Sequence, residues 1–277
     1  MEWYELFVGF LLGVVEGLTE FAPVSSTGHM ILVDGLWLNS SQFLGQEVAN
    51  TFKIVIQLGS ILAVVVVFRE RFKSLLNPKS LLTLRQSGAT RQFNLIHILI
   101  GLLPAGLLGV MFEDYIDTHL FSVKTVLIGL VIGAFFMIAA DLSGVKRQTT
   151  ATLDDITYKQ ALGVGLIQCF SLWPGFSRSG STISGGVLLG MSHRAAADFT
   201  FIMAVPIMFG ASALSLYSKW TYFTIETLPV FVVGFMSAFL FALLSIKFFL
   251  KLINKVKLMP FAVYRIVLAI VIYVLYF

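Results

Sequence analysis

A run of polar residues from Glu16 to His29 constrains this chain more than any other feature, because it lies inside sequence apolar enough for a lipid bilayer. A carboxylate at the centre of a bilayer costs roughly 2.5–3.5 kcal/mol on insertion scales, so carboxylates, hydroxyls and an imidazole together are expected only around a wet, functional cavity. Glu16 and Glu20 are spaced i,i+4 and share one face of a helix, and Pro23 interrupts that helix. The run therefore predicts a broken helix with polar groups at the break.

The composition agrees with a membrane location. The chain is 57% hydrophobic and 12% charged, whereas soluble domains carry about 25% charged residues. These values predict an integral membrane protein that is all α-helical and contacts membrane lipids. The net charge of +4 gives no reason to expect a nucleic-acid partner.

The apolar segments predict about six transmembrane helices of ~17–25 residues each. Basic residues follow the first span at Arg69–Lys73 and accumulate again at 251–257, so we expect both regions to be cytoplasmic. Residues 39–50, the acidic residues 113–117 and the basic stretch 251–257 are expected to be loops. Further basic residues support the same orientation: Lys79, Arg85, Arg91, Lys146 and Arg147. The predicted spans are 52–68, 93–112, 123–140, 199–217, 228–250 and 261–277.

The two halves of the chain correspond. Leu12-Gly13-Val14 opens the first broken segment and Leu162-Gly163-Val164 opens a second one, and Pro23…Ser26…Gly28 has an echo in Pro174…Ser177…Gly180. Each half contains one re-entrant helix-loop-helix segment and three spans, which is an odd number of crossings. We therefore expect an inverted repeat, with residues 1–150 as the first unit and 151–277 as the second, and with both breaks near the midplane.

The residues at the two breaks form a set suited to phosphoryl transfer. Arg178 carries a planar, positively charged guanidinium that can donate two hydrogen bonds to a phosphate. Glu16 and Glu20 together can hold a divalent cation. Ser26 is a candidate nucleophile and His29 a candidate general acid or base. The surrounding hydroxyls and glycines are candidate substrate contacts: Ser25, Thr27, Gly28, Ser177, Ser179, Gly180 and Thr182.

Structural roles are the alternatives for several of these residues. Ser25, Ser26 and Thr27 can each cap the helix that follows the break. His29 can instead bind a neighbouring carbonyl group, and Arg178 can act as the ion-pair partner of a glutamate.

Two motifs are similar to a known family. EGLTEFAPVSSTGH at 16–29 resembles the first signature of the bacterial undecaprenyl-diphosphate phosphatase family of the bacitracin-resistance type, and PGFSRSGST at 174–182 resembles the second. The run MSHRAAADF at 191–199 matches as well. The resemblance implies an inner-membrane enzyme that removes the terminal phosphate of undecaprenyl diphosphate at the outer, periplasmic face and so recycles the lipid carrier for cell-wall synthesis. It also implies a requirement for Mg²⁺ or Ca²⁺ and a homodimer.

The resemblance also implies a role for each matching position. Glu16 and Glu20 correspond to the essential acidic pair, Ser26 to the nucleophile, His29 to the acid or base and Arg178 to the phosphate clamp. Direct attack by water, with His29 as the base, is the rival mechanism.

A lipid-phosphate transporter or flippase is the alternative function, because inverted repeats and carboxylates at the midplane also occur in secondary carriers. The acid phosphatase superfamily is a weaker alternative. It requires a second histidine shortly after a Ser-Arg pair, and Ser177-Arg178 has none at short spacing.

Overall fold

The computed structural model describes residues 3–76, 93–120, 122–143, 149–220 and 224–277. These residues form helices and connecting turns and contain no β-strand, which confirms the all-α membrane fold. Several residues used to predict the orientation lie outside the described residues: Lys79, Arg85, Arg91, Lys146 and Arg147.

The first half of the chain contains a long helix, a break and a short helix, followed by three spans and several short helices. A π-helical turn, Asp34–Leu38, follows the short helix. The α-helices are α1 Trp3–Thr19, α2 Ser26–Val33, α3 Ser41–Leu44, α4 Gln46–Val55, α5 Gln57–Val67, α6 Arg69–Leu76, α7 Leu95–Met111, α8 Glu113–His119 and α9 Val123–Leu142.

The second half begins with a similar broken segment and continues with three long helices. A 3₁₀ turn, Cys169–Leu172, leads into the second break. The α-helices are α10 Tyr158–Gln168, α11 Arg178–Leu188, α12 His193–Ser218, α13 Leu228–Val256 and α14 Met259–Tyr276.

Both predicted breaks are present. The first lies between α1 and α2 and contains Pro23, and the second lies between the 3₁₀ turn and α11 and contains Pro174. Both breaks follow from proline, which has no backbone N–H and disfavours the helical conformation in the residue before it.

The predicted number of spans agrees with the structure. Among the described residues, five helices are long and apolar enough to cross a membrane. The sixth predicted span is α7, which has 17 residues and contains Pro104, and this length is at the lower end of the range for a crossing. The five longer spans are Gln46–Val67, which combines α4 and α5, Val123–Leu142, His193–Ser218, Leu228–Val256 and Met259–Tyr276.

Three predicted loops are wrong, and in two of them polar composition hid a helix with a buried face. Most of the predicted loop 39–50 is helical, and Val48 and Phe52 of α4 are buried in the core. Helix α13 continues through most of 251–257, since Ile253 is fully buried while the lysines remain outside; it ends where Lys257 adopts a left-handed φ of 57°. The acidic loop predicted at 113–117 belongs to α8.

Small residues let α1 pack closely against α13. Gly13 faces Gly234 and Ser237, and Gly17 faces the backbone of Ala238 and Ala242. A stripe of small residues allows two backbones to approach within a membrane. This contact holds α1 beside α13 and fixes where the first break lies.

Replacing Gly13 with alanine is expected to destabilise the protein by about 1–3 kcal/mol, because overpacking forces a tight interface to shift. The new Cβ would meet the Gly234 carbonyl group and the Ser237 hydroxyl. The measurement is the midpoint of thermal unfolding in detergent. Gly106→Ala is the matched control, since no atom lies within 4 Å of a Cβ at that position of α7. Equal midpoints for the two variants would contradict this packing.

Candidate functional site

The two helices that follow the breaks begin in the same way. Ser25 caps α2 with φ 69° and ψ 98°, and Ser177 caps α11 with φ 74° and ψ 116°. In each case the serine hydroxyl accepts a hydrogen bond from the backbone N–H three residues later, that of Gly28 or Gly180. The structure therefore confirms that Ser25 is a helix cap. The second of these helices begins at Arg178, directly after its cap.

A positive φ at a serine is uncommon and costs of order 1–3 kcal/mol. Such conformations persist where the surrounding structure over-determines them, and they cluster at functional sites. A helix thus begins at each break, and helix N-termini carry free backbone N–H groups that favour anions.

Three side chains connect the two breaks. Arg178 Nη2 donates to Glu20 Oε1 at 2.9 Å, and the Ser26 hydroxyl donates to Glu20 Oε2 at 2.7 Å. Arg178 Nη1 also donates to the Thr200 carbonyl of α12 at 3.3 Å. Arg178 and Glu20 have side chains only 13% and 9% exposed, so the pair lies largely out of bulk water. Segments 158 residues apart in the chain thus converge on one carboxylate.

A polar cavity of about 200 Å³ lies at this junction. Its wall combines hydroxyls, a carboxylate and a guanidinium with two apolar side chains and the backbone of the second break. The lining residues are Glu20, Ser25, Ser26, Thr27, Gln57, Ser171, Trp173, Pro174, Gly175, Ser177, Arg178 and Met208.

His29 does not contact Ser26, since both of its ring nitrogens have other partners. Nδ1 lies 2.8 Å from the Ser25 carbonyl and Nε2 lies 2.7 Å from the Tyr264 hydroxyl. A carbonyl group only accepts, so Nδ1 carries the proton and Nε2 accepts from Tyr264 in the neutral ring. Glu20, and not His29, is therefore the basic group beside the Ser26 hydroxyl. The role of His29 as acid or base stays a prediction.

Four predicted substrate contacts are not in the cavity wall. The Ser179 hydroxyl donates to the carbonyl groups of Glu20 and Ala22 and so ties the two breaks together. The Thr182 hydroxyl donates to the Arg178 carbonyl within α11. Gly28 packs against Leu130, and Gly180 packs against Arg265. These positions stabilise the breaks, whereas Ser25, Thr27 and Ser177 line the cavity as expected.

Glu16 lies one helical turn before Glu20 and is fully buried, and its Oε1 has no hydrogen-bond partner. Within the described ranges, no group of three or more His, Cys, Asp or Glu side chains is arranged to hold a metal ion. Mg²⁺ is often bound by one or two carboxylates together with substrate phosphates. Of the two glutamates only Glu20 lines the cavity. The orphaned oxygen of Glu16, one turn away, supplies the second carboxylate of such a site, and the substrate would complete the ligand set.

Several residues at this site are not among those that the sequence predicts. Gln57, Ser171, Trp173 and Met208 line the cavity without any motif that marks them. Arg265 carried a usable signal, because an ionisable residue inside a predicted span is by default a candidate for function.

Comparison with known proteins agrees with the motifs. The family model for bacitracin resistance protein BacA matches residues 9–271. An undecaprenyl-diphosphatase of Geobacillus kaustophilus is 69% identical over 277 residues, covering all of both chains. One from Bacillus subtilis is 59% identical over 271 residues, covering 98% of each chain. By this match, which spans nearly its whole length, the chain belongs to the bacitracin resistance protein BacA family.

Proposed function

We propose that this chain hydrolyses undecaprenyl diphosphate to undecaprenyl phosphate and inorganic phosphate, which recycles the lipid carrier for cell-wall synthesis. Its full-length relatives are named undecaprenyl-diphosphatases, which supports the substrate. The observation that carries the proposal is the contact of Arg178 and Ser26 with the two oxygens of the Glu20 carboxylate, beside a polar cavity.

The diphosphate occupies the cavity between the breaks. Arg178 offers a guanidinium fork, which suits the oxygens of a phosphate. The N-termini of α2 and α11 add backbone N–H groups and the positive ends of two helix dipoles. Donors aligned in this way stabilise the charge that develops during transfer of a phosphoryl group, and they act more strongly in a largely dry site.

Ser26 is the nucleophile. Its oxygen forms a bond to the terminal phosphorus while Glu20 takes the hydroxyl proton, and the bond from that phosphorus to the bridging oxygen breaks. The bridging oxygen leaves with undecaprenyl phosphate, and Glu20 passes the proton to this leaving phosphate. Water then attacks the phosphoserine while Glu20 accepts a proton from that water. The bond from phosphorus to the Ser26 oxygen breaks, Ser26 takes the proton back from Glu20, and inorganic phosphate leaves. The hydrogen bond of 2.7 Å between Ser26 and Glu20 supports this assignment over a direct attack by water with His29 as base.

Glu16 and Glu20 would hold a divalent cation, Mg²⁺ or Ca²⁺, together with oxygens of the substrate. A bound cation supplies positive charge that neutralises phosphate oxygens. The partnerless Oε1 of buried Glu16 supports this assignment.

Glu16→Gln is expected to raise the Mg²⁺ concentration needed for half-maximal activity at least about tenfold, because an amide binds a hard cation less well than a carboxylate. The measurement is phosphate release against Mg²⁺ concentration after treatment with a chelator. Glu47→Gln serves as the control, since Glu47 pairs with Lys219 and does not line the cavity. An unchanged Mg²⁺ dependence in Glu16→Gln would remove this glutamate from the cation site.

The two halves, 1–150 and 151–277, are inverted repeats in this proposal. One support is the cap geometry that Ser25 and Ser177 share. The other is that the first helix of each half packs against a helix of the other half: α1 lies against α13, and α10 lies against α7. In the same proposal the cavity opens to the periplasmic face of the inner membrane, which is supported by the basic residues expected in the cytoplasm. A homodimer is part of the same proposal.

Phosphate release by the purified protein tests the function. In detergent with Mg²⁺, the protein is expected to release inorganic phosphate from undecaprenyl diphosphate or a shorter prenyl diphosphate. Undecaprenyl monophosphate is the control substrate, because it has no anhydride bond to break. A lipid-phosphate transporter would bind these lipids and release nothing, and that result would refute the proposed hydrolysis.

A further inference from the structure

The last helix, α14, carries a fully buried guanidinium, that of Arg265. Its Nη2 donates to the carbonyl groups of Gly175 at 2.8 Å and Gly129 at 3.3 Å, and its Nη1 lies 3.3 Å from the sulfur of Met137. Among the described residues no carboxylate forms an ion pair with it, and its Nε has no partner. Burying a charge without a counter-ion is costly, so stability alone does not explain this arginine.

Glycines on two helices make room for the guanidinium. A Cβ on Gly180 of α11 would lie 3.0 Å from Nη1 of Arg265, and a Cβ on Gly133 of α9 would meet Nη2. The nearer of the two carbonyl groups that accept from Arg265 belongs to Gly175, which adopts a left-handed φ of 91° in the second break. The guanidinium is thus enclosed directly against the loop that leads to Arg178.

The preceding residue reaches the other break. The Tyr264 hydroxyl lies 2.7 Å from His29 Nε2, and the two rings stack with centroids 5.6 Å apart. His29 in turn holds the carbonyl group of Ser25, the strained cap of α2. Two consecutive residues of α14 therefore contact both breaks, and this helix is their common support.

We propose that Tyr264 and Arg265 are positioning residues for the phosphoryl-transfer site. This assignment rests on the proposed function. Arg265 holds the second break so that Arg178 reaches Glu20, and it adds a fixed positive charge behind the bound diphosphate. Tyr264 orients His29 and, through it, the start of α2. Groups that hold reacting side chains in place are as necessary to a site as the side chains themselves.

Arg265→Met and Arg265→Lys test the arginine. We expect Arg265→Met to lower kcat/KM about 100-fold, the scale of a lost electrostatic donor, while the midpoint of unfolding stays the same or rises, as is common when a buried charge becomes apolar. Arg265→Lys keeps the charge and is expected to restore kcat/KM to within about tenfold of wild type. Wild-type kinetics in Arg265→Met would overturn the proposal, and so would a loss of activity that only parallels a loss of stability. If Arg265→Met does not fold, Arg265→Gln replaces it: a lowered kcat/KM at an unchanged midpoint supports the proposal, and wild-type kinetics overturn it.

Tyr264→Phe tests the tyrosine against a matched control on the same helix. The Tyr276 hydroxyl donates to the Ile31 carbonyl of α2 at 3.0 Å, so Tyr276→Phe also removes one bond between α14 and α2. We expect Tyr264→Phe to lower kcat about tenfold with KM within about twofold, the pattern of lost orientation and not of lost binding. Tyr276→Phe is expected to change neither constant. Equal effects of the two variants would reduce Tyr264 to a structural contact.

Failure of the proposed function can be told apart from failure of the positioning role. A wild-type protein that releases no phosphate from any prenyl diphosphate refutes the function. Hydrogen–deuterium exchange at residues 173–180 then decides the positioning role. We expect exchange at least about tenfold faster in Arg265→Met and no change in Arg194→Met, whose guanidinium pairs with Asp198. Equal exchange in wild type and Arg265→Met would overturn the positioning role.

Discussion

Replacing Ser26 with alanine is expected to lower kcat at least about 10³-fold, because the variant lacks the oxygen that forms the bond to phosphorus. The Glu20–Arg178 ion pair does not depend on the hydroxyl, so the affinity for a prenyl diphosphate should change little. The measurement is phosphate release in detergent, together with the dissociation constant of the substrate. After a rapid acid quench, the wild-type protein should carry phosphate on the peptide that contains Ser26.

Ser212→Ala is the matched control for this variant. Ser212 is a serine whose hydroxyl likewise donates a hydrogen bond, to the Ile54 carbonyl, and it does not line the cavity. The kcat of the Ser212→Ala variant is expected to equal that of wild type. Substantial hydrolysis by Ser26→Ala would exclude the phosphoserine and leave direct attack by water as the mechanism.

The sequence predicts the architecture well where energetic penalties are large. A carboxylate or a proline inside an apolar run has few structural explanations, and for this reason both breaks and the number of spans agree with the structure. Polar surface segments carry weaker signals. The stretch at 41–55 is helical because Val48 and Phe52 are buried against other helices, and those partners lie far away in the sequence.

The residues of the site can be predicted from the sequence more readily than the contacts between them. Ser26 and Glu20 are six residues apart with a break between them, and helical spacing does not reveal that they share a hydrogen bond. His29 follows Ser26 by one turn, which favours a pairing that Tyr264 of the last helix prevents. Arg265 could have been found from its charge inside a span, but its contact with Gly175 depends on how the helices pack.

Removing the Arg178 guanidinium is expected to lower both activity and stability. Arg178→Met should decrease kcat/KM about 10³-fold, since it removes the cation that holds the phosphate. It should also destabilise the protein by about 3–5 kcal/mol, because it leaves the largely buried Glu20 carboxylate without its partner. The activity loss is measured as phosphate release, and the stability loss as the unfolding midpoint in detergent. Arg71→Met is the control, as it breaks a more exposed ion pair with Asp154 and should affect both quantities little.

The double variant Glu20→Gln with Arg178→Met separates the two effects. With neither charge left in the interior, most of the lost stability should return, and the coupling between the two substitutions should amount to at least about 1 kcal/mol. Activity should stay as low as in Arg178→Met, because the double variant has neither the phosphate clamp nor the base beside Ser26. If activity returned together with stability, the Arg178–Glu20 contact would be only a structural bridge between the two breaks. If Arg178→Met kept its kcat/KM, phosphate would be bound elsewhere in the cavity.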